Sequence, residues 1–243
     1  MGDEPQEWQF DEHVSAAGWV DRDRLLMASE TGLYLFDIAS GDQTLLHLLE
    51  ADKPETRSND GRADPFGGFW IGTMGKRAEP AAGAIYRFYR GEVRTLFNGI
   101  TIPNSICFAP DGTAAYFSDT PTSRIMRQPL DHEGWPKAAP TVFVDLEPDG
   151  LSPDGTVCDT EGGLWNAQWG AGRVARYLPD GSFDRAASVG GRQSSCPAFG
   201  GDGFAQLFVT TARENLSDAT PMDGCVYFVS IGFTGLPENR VIL

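Results

Sequence analysis

The fold class the sequence predicts is all-β: a propeller of four-stranded blades, in a single domain over residues 1–243. Three observations predict it. Long amphipathic helical patterns are missing. In their place, short runs rich in Val, Ile, Phe, Tyr and Trp alternate with Gly, Pro, Asp and Asn clusters. Examples are GLYLFD (32–37), GAIYRFYRG (83–91), AAYFSDT (114–120) and QLFVTTAR (206–213). Many short strands joined by turns make a sandwich, a barrel or a propeller. The second observation is a repeated unit: a polar residue, a strand of small and apolar residues, a turn ending in glycine, then an aromatic strand. Its copies are NDGRADPFGGFWIGTM, NSICFAPDGTAAYFSDT, DGTVCDTEGGLWNAQWG and SCPAFGGDGFAQLFVTTA, with a weaker one in SAAGWVDRDRLLMASETG. The third is the period. The turn glycines Gly67, Gly112, Gly162 and Gly203 stand about 41–50 residues apart, which is one blade per repeat. A sandwich predicts no such period.

Each unit contributes its strands in order. The polar residue opens the first strand, and the aromatic strand is the second. Runs such as GAIYRF and GRVARY supply the third, and VRTLF and TVFVDL the fourth. In a propeller the first strand of every blade lines the central channel, so equivalent positions form a ring at one mouth. Eight residues before the turn glycines stand Asn59, Asn104, Asp154 and Ser195, and in the weaker copy Ser15 precedes Asp23 by the same count. This register also separates two neighbouring Pro-Asp-Gly triplets in LEPDGLSPDGTVCDTEGGLW. Asp154 falls on the ring, whereas Asp149 falls in a connecting loop as an ordinary turn residue.

Composition narrows the function. The formal charge is −15 and no run of Lys or Arg forms a basic stripe, so no nucleic-acid partner is expected. No apolar run approaches the roughly 18 residues of a membrane helix, so no membrane partner is expected. The opening MGDEPQEWQFDEH is too acidic for a secretory signal. Cys107, Cys158, Cys196 and Cys225 lack C-x-x-C spacing and are read as reduced and mostly buried, in a cytoplasmic protein. His13, His47 and His132 are the only histidines, too few for a His-rich metal site. G-x-S-x-G is absent. A ring of carboxylate, amide and hydroxyl oxygens suits a hard divalent cation. The bland alternative is that these residues only cap turns. Trp70, Trp165 and Trp169 are expected to pack between blades, and Arg213 to form a structural ion pair. Oligomeric state has no signal.

The segments RSNDGRADPFGGFWIGTM, ITIPNSICFAPDG, SPDGTVCDTEGGLWNAQWGAGRVARY and SCPAFGGDG…LFVTTARENL resemble the SMP-30/gluconolactonase/LRE family. LWNAQWG is most similar to the bacterial sugar lactonases of that family. The resemblance runs from about Trp8 to the end, with four motifs in order. It implies a six-bladed propeller. The repeats number about five and a half, so most of the first blade would be lacking and two edges left unpaired. It places the family's metal asparagine on Asn104 and its metal aspartate on Asp154, the positions the register also selects. The substrate-contacting pair falls on Arg57 and Asn59. Ser195 is a further substrate contact from the ring. The family's third ligand, a glutamate in a G-E-G-P/S-x-W motif, has only a faint echo in GDEPQEW at Glu4.

The expected activity is hydrolysis of a sugar (aldono-) lactone to the aldonic acid. One divalent ion, Ca²⁺, Zn²⁺, Mn²⁺ or Mg²⁺, would polarise the carbonyl and activate water, with Asp154 also taking the water proton. Two alternatives stand beside it: a non-enzymatic metal-binding propeller, and a homologue inactivated by loss of the glutamate ligand.

Overall fold

A computed structural model describes residues 6–243; Glu4 lies outside them. Each blade is an antiparallel sheet built outward in chain order. The first comprises β1 (Val14–Trp19), β2 (Arg24–Ser29), β3 (Gly32–Asp37) and β4 (Gln43–Leu48). The second comprises β5 (Thr56–Ala63), β6 (Phe69–Gly75), β7 (Gly83–Tyr89) and β8 (Glu92–Ile100). The third holds β9 (Pro103–Phe108), β10 (Ala114–Asp119), β11 (Arg124–Pro129) and β12 (Thr141–Asp145). The fourth holds β13 (Ser152–Cys158), β14 (Leu164–Trp169), β15 (Arg173–Tyr177) and β16 (Phe183–Ser188). The fifth has β17 (Gln193–Gly200), β18 (Gln206–Ala212) and β19 (Val226–Val229).

The expected six-bladed count is therefore corrected. The described residues form a five-bladed propeller. Residues 6–13 contain no strand. β1 is the inner strand of the first blade, and the four-stranded plan continues without interruption from there to β16. The period of the repeats measures one blade; it does not count the ring.

The inner strands β1, β5, β9, β13 and β17 pack on one another in that order. Apolar cores fill the four spaces between successive blades. Leu26, Leu33, Phe69 and Phe88 lie between the first and second, and Trp70, Ile106, Phe108 and Phe117 between the second and third. Cys107, Tyr116, Leu164 and Tyr177 follow, then Trp165, Val174, Leu207 and Val209. Burying such side chains stabilises a sheet stack by about 1.5–3 kcal/mol each. The C-terminal segment returns across the far ends of the inner strands. Thr234 carbonyl accepts from Thr160 N, Glu238 pairs with Arg62, and Val241 N donates to the Trp19 carbonyl.

The turn glycines behave as the repeat predicts. Gly67, Gly112, Gly162 and Gly203 all have positive φ, from 64° to 91°, a conformation that favours glycine. Gly155 serves closeness rather than φ. A Cβ there would stand 2.8 Å from the Cys196 Sγ and from the Ser195 carbonyl oxygen, where β13 meets β17. Gly155→Ala is expected to destabilise the protein by about 1–3 kcal/mol through overpacking, read as a lowered urea midpoint.

Candidate functional site

Every inner strand breaks register near its start. In β5 the pair Asn59–Asp60 is inserted between Ser58 and Gly61; in β13 it is Asp154–Gly155, and in β17 Ser195–Cys196. β1 slips at Ser15. A bulge of this kind re-aims side chains, and bulges gather beside active sites. Here they turn polar residues into the channel. In β9 the irregularity opens one residue after the ring position, at Ser105–Ile106. Ser105 holds φ at +61°, an uncommon conformation for a non-glycine residue. Asn104 precedes the bulge rather than starting it, and still faces the channel.

The bulges line one cavity of about 710 Å³. Arg57, Asn59, Asn104, Asp154 and Ser195 all border it, as does Ser15. Asp149 does not; it ends a short 3₁₀ turn in the connecting loop. The cavity also admits residues the register did not select: Asp60, Thr120, Trp169, Cys196 and Glu214. Asp60 was legible as the second polar residue of the RSNDG bulge. Thr120 and Glu214 follow second strands, which eight-residue counting from the turn never reaches. Trp70 and Trp165 are fully buried between blades, as expected, whereas Trp169 borders the cavity. Arg213 makes no ion pair among the described residues; its Nε donates to the Asp223 carbonyl.

The polar contacts are ordered. Arg57 Nη1 donates to Asn59 Oδ1 at 2.9 Å, and Asn59 Nδ2 to Asn104 Oδ1 at 3.2 Å and the Pro103 carbonyl at 2.9 Å. Arg57 has no carboxylate partner among the described residues; its neighbours Lys76 and Arg77 are paired with Glu30 and Glu79. Asp60 Oδ2 accepts from Ile106 N at 2.7 Å. Burial pushes the Asp60 carboxyl above the usual range. Burial, and then the Asp60 charge, push Asp154 well above it. The backbone carbonyl of Asp154 is held by Ser105 Oγ at 2.6 Å and Asn166 Nδ2 at 3.1 Å. No hydrogen bond between the Asp154 carboxylate and another side chain is formed among the described residues.

That arrangement bears on a cation. Asp154 presents a carboxylate to a poorly solvated channel that Asp60 and the Asn104 amide also border. Oxygen donors, with a carboxylate among them, fit a hard divalent ion. Among the described residues no group of three or more His, Cys, Asp or Glu is placed to hold a metal. An ion at this mouth would have the Asp154 carboxylate and the Asn104 amide oxygen as its protein donors. Covalent catalysis finds no support. Burial, with the Asp60 charge next, pushes the Cys196 thiol up to about 12, so it stays protonated at neutral pH and is a poor nucleophile. Ser195 Oγ meets Thr210 Oγ1 at 2.7 Å, and no histidine borders the cavity.

Fold and cavity define the class: a β-propeller whose inner strands converge on an oxygen-lined channel mouth. The chain belongs to the SMP-30/gluconolactonase/LRE-like family, whose model matches residues 1–213. L-arabinolactonase of Azospirillum brasilense is 39% identical to it, over 96% of this chain and 79% of that protein. 6-deoxy-6-sulfogluconolactonase of Pseudomonas putida is 31% identical, over 95% of this chain and 81% of that protein. Among solved structures, regucalcin of Agrobacterium tumefaciens, described as a calcium-binding protein, superposes with a TM-score of 0.93 at 46% identity. That match covers 96% of this chain and 81% of the other. Among the described residues no helix is long and apolar enough to cross a membrane.

Proposed function

We propose that this protein is a lactonase that opens a sugar (aldono-) lactone to its aldonic acid with the help of one divalent cation. The observation that carries this reading is convergence. Arg57, Asn59, Asn104 and Asp154, from three inner strands, border one cavity of about 710 Å³, large enough for a monosaccharide ring. The names of the relatives above support the same substrate class.

Asp154 and Asn104 would hold the cation, which could be Ca²⁺, Zn²⁺, Mn²⁺ or Mg²⁺. When bound, such an ion polarises a carbonyl and lowers the pKa of water. The side chains do the rest. Arg57 and Asn59 orient the lactone through hydrogen bonds to its hydroxyls or ring oxygen, and Ser195 adds a contact from the fifth blade. Asp154 takes the proton of the attacking water. Asp60, held by Ile106 N, borders the same cavity and pushes the Asp154 carboxyl further up.

Acid release from xylono-, glucono- and galactonolactone in a pH-stat, with and without Ca²⁺, Mn²⁺ or Zn²⁺, tests the reading. Lactones open spontaneously, so the enzyme-free rate is subtracted. Cation-dependent acceleration is expected. Cation binding without acceleration would replace the lactonase with a non-enzymatic cation-binding propeller. Arg57→Ala is expected to lower kcat/KM roughly 10–150-fold, the equivalent of a charged hydrogen bond of about 1.5–3 kcal/mol, mainly through KM.

A further inference from the structure

The hydrogen bonds at the channel mouth run in one direction across three blades. Arg57 Nη1 donates to Asn59 Oδ1, and Asn59 Nδ2 donates to Asn104 Oδ1. Asn104 Nδ2 then donates to Thr120 Oγ1 at 2.9 Å, and Thr120 Oγ1 to the Pro153 carbonyl at 2.8 Å. Both ends are chemically fixed. A guanidinium can only donate and a carbonyl can only accept. Thr120 has one hydroxyl hydrogen, and Pro153 receives it. Its oxygen can then only accept, so Asn104 must present Nδ2 to Thr120 and keep Oδ1 on the other side. That side faces Asn59 and the cavity.

We propose that Thr120 is a positioning residue that ties Asn104 and Asp154 into one ligand pair. It sets which atom of the Asn104 amide faces the cavity. Through Pro153 it also pins β13 one residue before Asp154. This role rests on the cation site of the proposed function.

The local fold places Thr120 for this task. It opens the 3₁₀ turn Thr120–Thr122, with Pro121 second. The preceding Asp119 anchors the turn, because its carboxylate accepts from Thr101 N and Ile102 N, while Thr120 N donates to the Ile102 carbonyl. The turn is thus bound to the chain just before β9, and its hydroxyl reaches β13. Partners that orient a metal ligand typically contribute 10–100-fold to affinity.

Two variants and two measurements test the assignment. Thr120→Val keeps the shape and removes the hydroxyl; Thr120→Ser keeps the hydroxyl. In titration calorimetry of the full chain with Ca²⁺ or Mn²⁺ alone, Thr120→Val is expected to bind about 10–100-fold more weakly and Thr120→Ser within about threefold of wild type. A purely structural threonine would lower the thermal midpoint and leave the Kd unchanged; that result overturns the assignment. So does a Thr120→Ser as weak as Thr120→Val. The second measurement needs no cation. By NMR, the Asn104 side-chain amide hydrogens are expected to exchange slowly in wild type and Thr120→Ser, and fast in Thr120→Val. Equal exchange in all three overturns the orientation role. A wild type that binds neither ion overturns the cation reading of the site, and the amide exchange then decides by itself whether Thr120 orients Asn104.

Discussion

Asp154→Asn is expected to do two opposite things. It should weaken cation binding and slow lactone hydrolysis by at least about 100-fold, the lower bound for losing a positioned acid–base group. In the cation-free protein at neutral pH it should raise stability. The cause is the environment that pushes the Asp154 carboxyl well above its ordinary value of 3.8: burial first, then the Asp60 charge. The folded state holds the Asp154 proton more tightly than the unfolded chain does. Its contribution to stability is therefore complete below pH 3.8 and is lost as pH rises through the elevated folded value. Asparagine carries no charge, so the variant should gain on wild type over that rise. A cation at a concentration that saturates the wild type but not the variant should reverse the order, because it then stabilises the folded wild type more. Urea midpoints between about pH 4 and 8, with and without cation, read both effects. Parallel curves for the two proteins would show that Asp154 is not the strained carboxylate of the channel.

Asp159→Ala should cause a large loss of stability without altering the cavity. Asp159 and Arg176 are buried and meet at 2.7 Å. The carboxylate also accepts from Trp165 Nε1 at 2.9 Å and from the backbone N–H groups of Glu161 and Gly163. Arg176 continues to Asp184 at 2.9 Å and lies 4.0 Å over the Phe233 ring. Removing the carboxylate leaves an indole N–H and two turn amides without a partner and takes from the buried Arg176 one of its three carboxylates, Asp184 and Glu161 remaining. Breaking a buried pair in this way costs about 3–5 kcal/mol, which for a chain of this size lowers the Tm by about 10 °C. Asp64 and Arg87 form the matching pair in the second blade, at 2.6 Å with no exposure of either side chain. The exposed pair Arg94–Glu92 is the control; Glu92→Ala should change the midpoint by less than about 1 kcal/mol.

These two aspartates show what the sequence could say. Asp64 and Asp159 each precede a turn glycine by three residues, in DPFG and DTEG. A short acidic side chain there caps the turn through its own backbone, which is a local matter. The arginines that complete the pairs stand two strands later, and only folding sets them against the turn. At the channel, Asn59, Asp154 and Ser195 were legible because one repeat places one polar residue at each bulge. Asn104 was legible less cleanly: the third blade opens its bulge at Ser105, a single residue beyond the count. Thr120 and Glu214 were not legible at all. They enter from the ends of second strands, and their nearness to the ring depends on the path of the turns that follow.

The amino-acid sequence by itself determined the strand order, the blade period, the turn glycines and the polar ring, because each depends on a pattern repeated along the chain. It also carried the family. The tertiary structure decided the number of blades, since nothing in a period says how many copies surround an axis. It decided too that the Asp154 carboxyl is raised by burial and by Asp60, and that one hydroxyl links Asn104 to the strand of Asp154. Those properties arise between strands, where distance and dielectric are set by packing rather than by position in the chain.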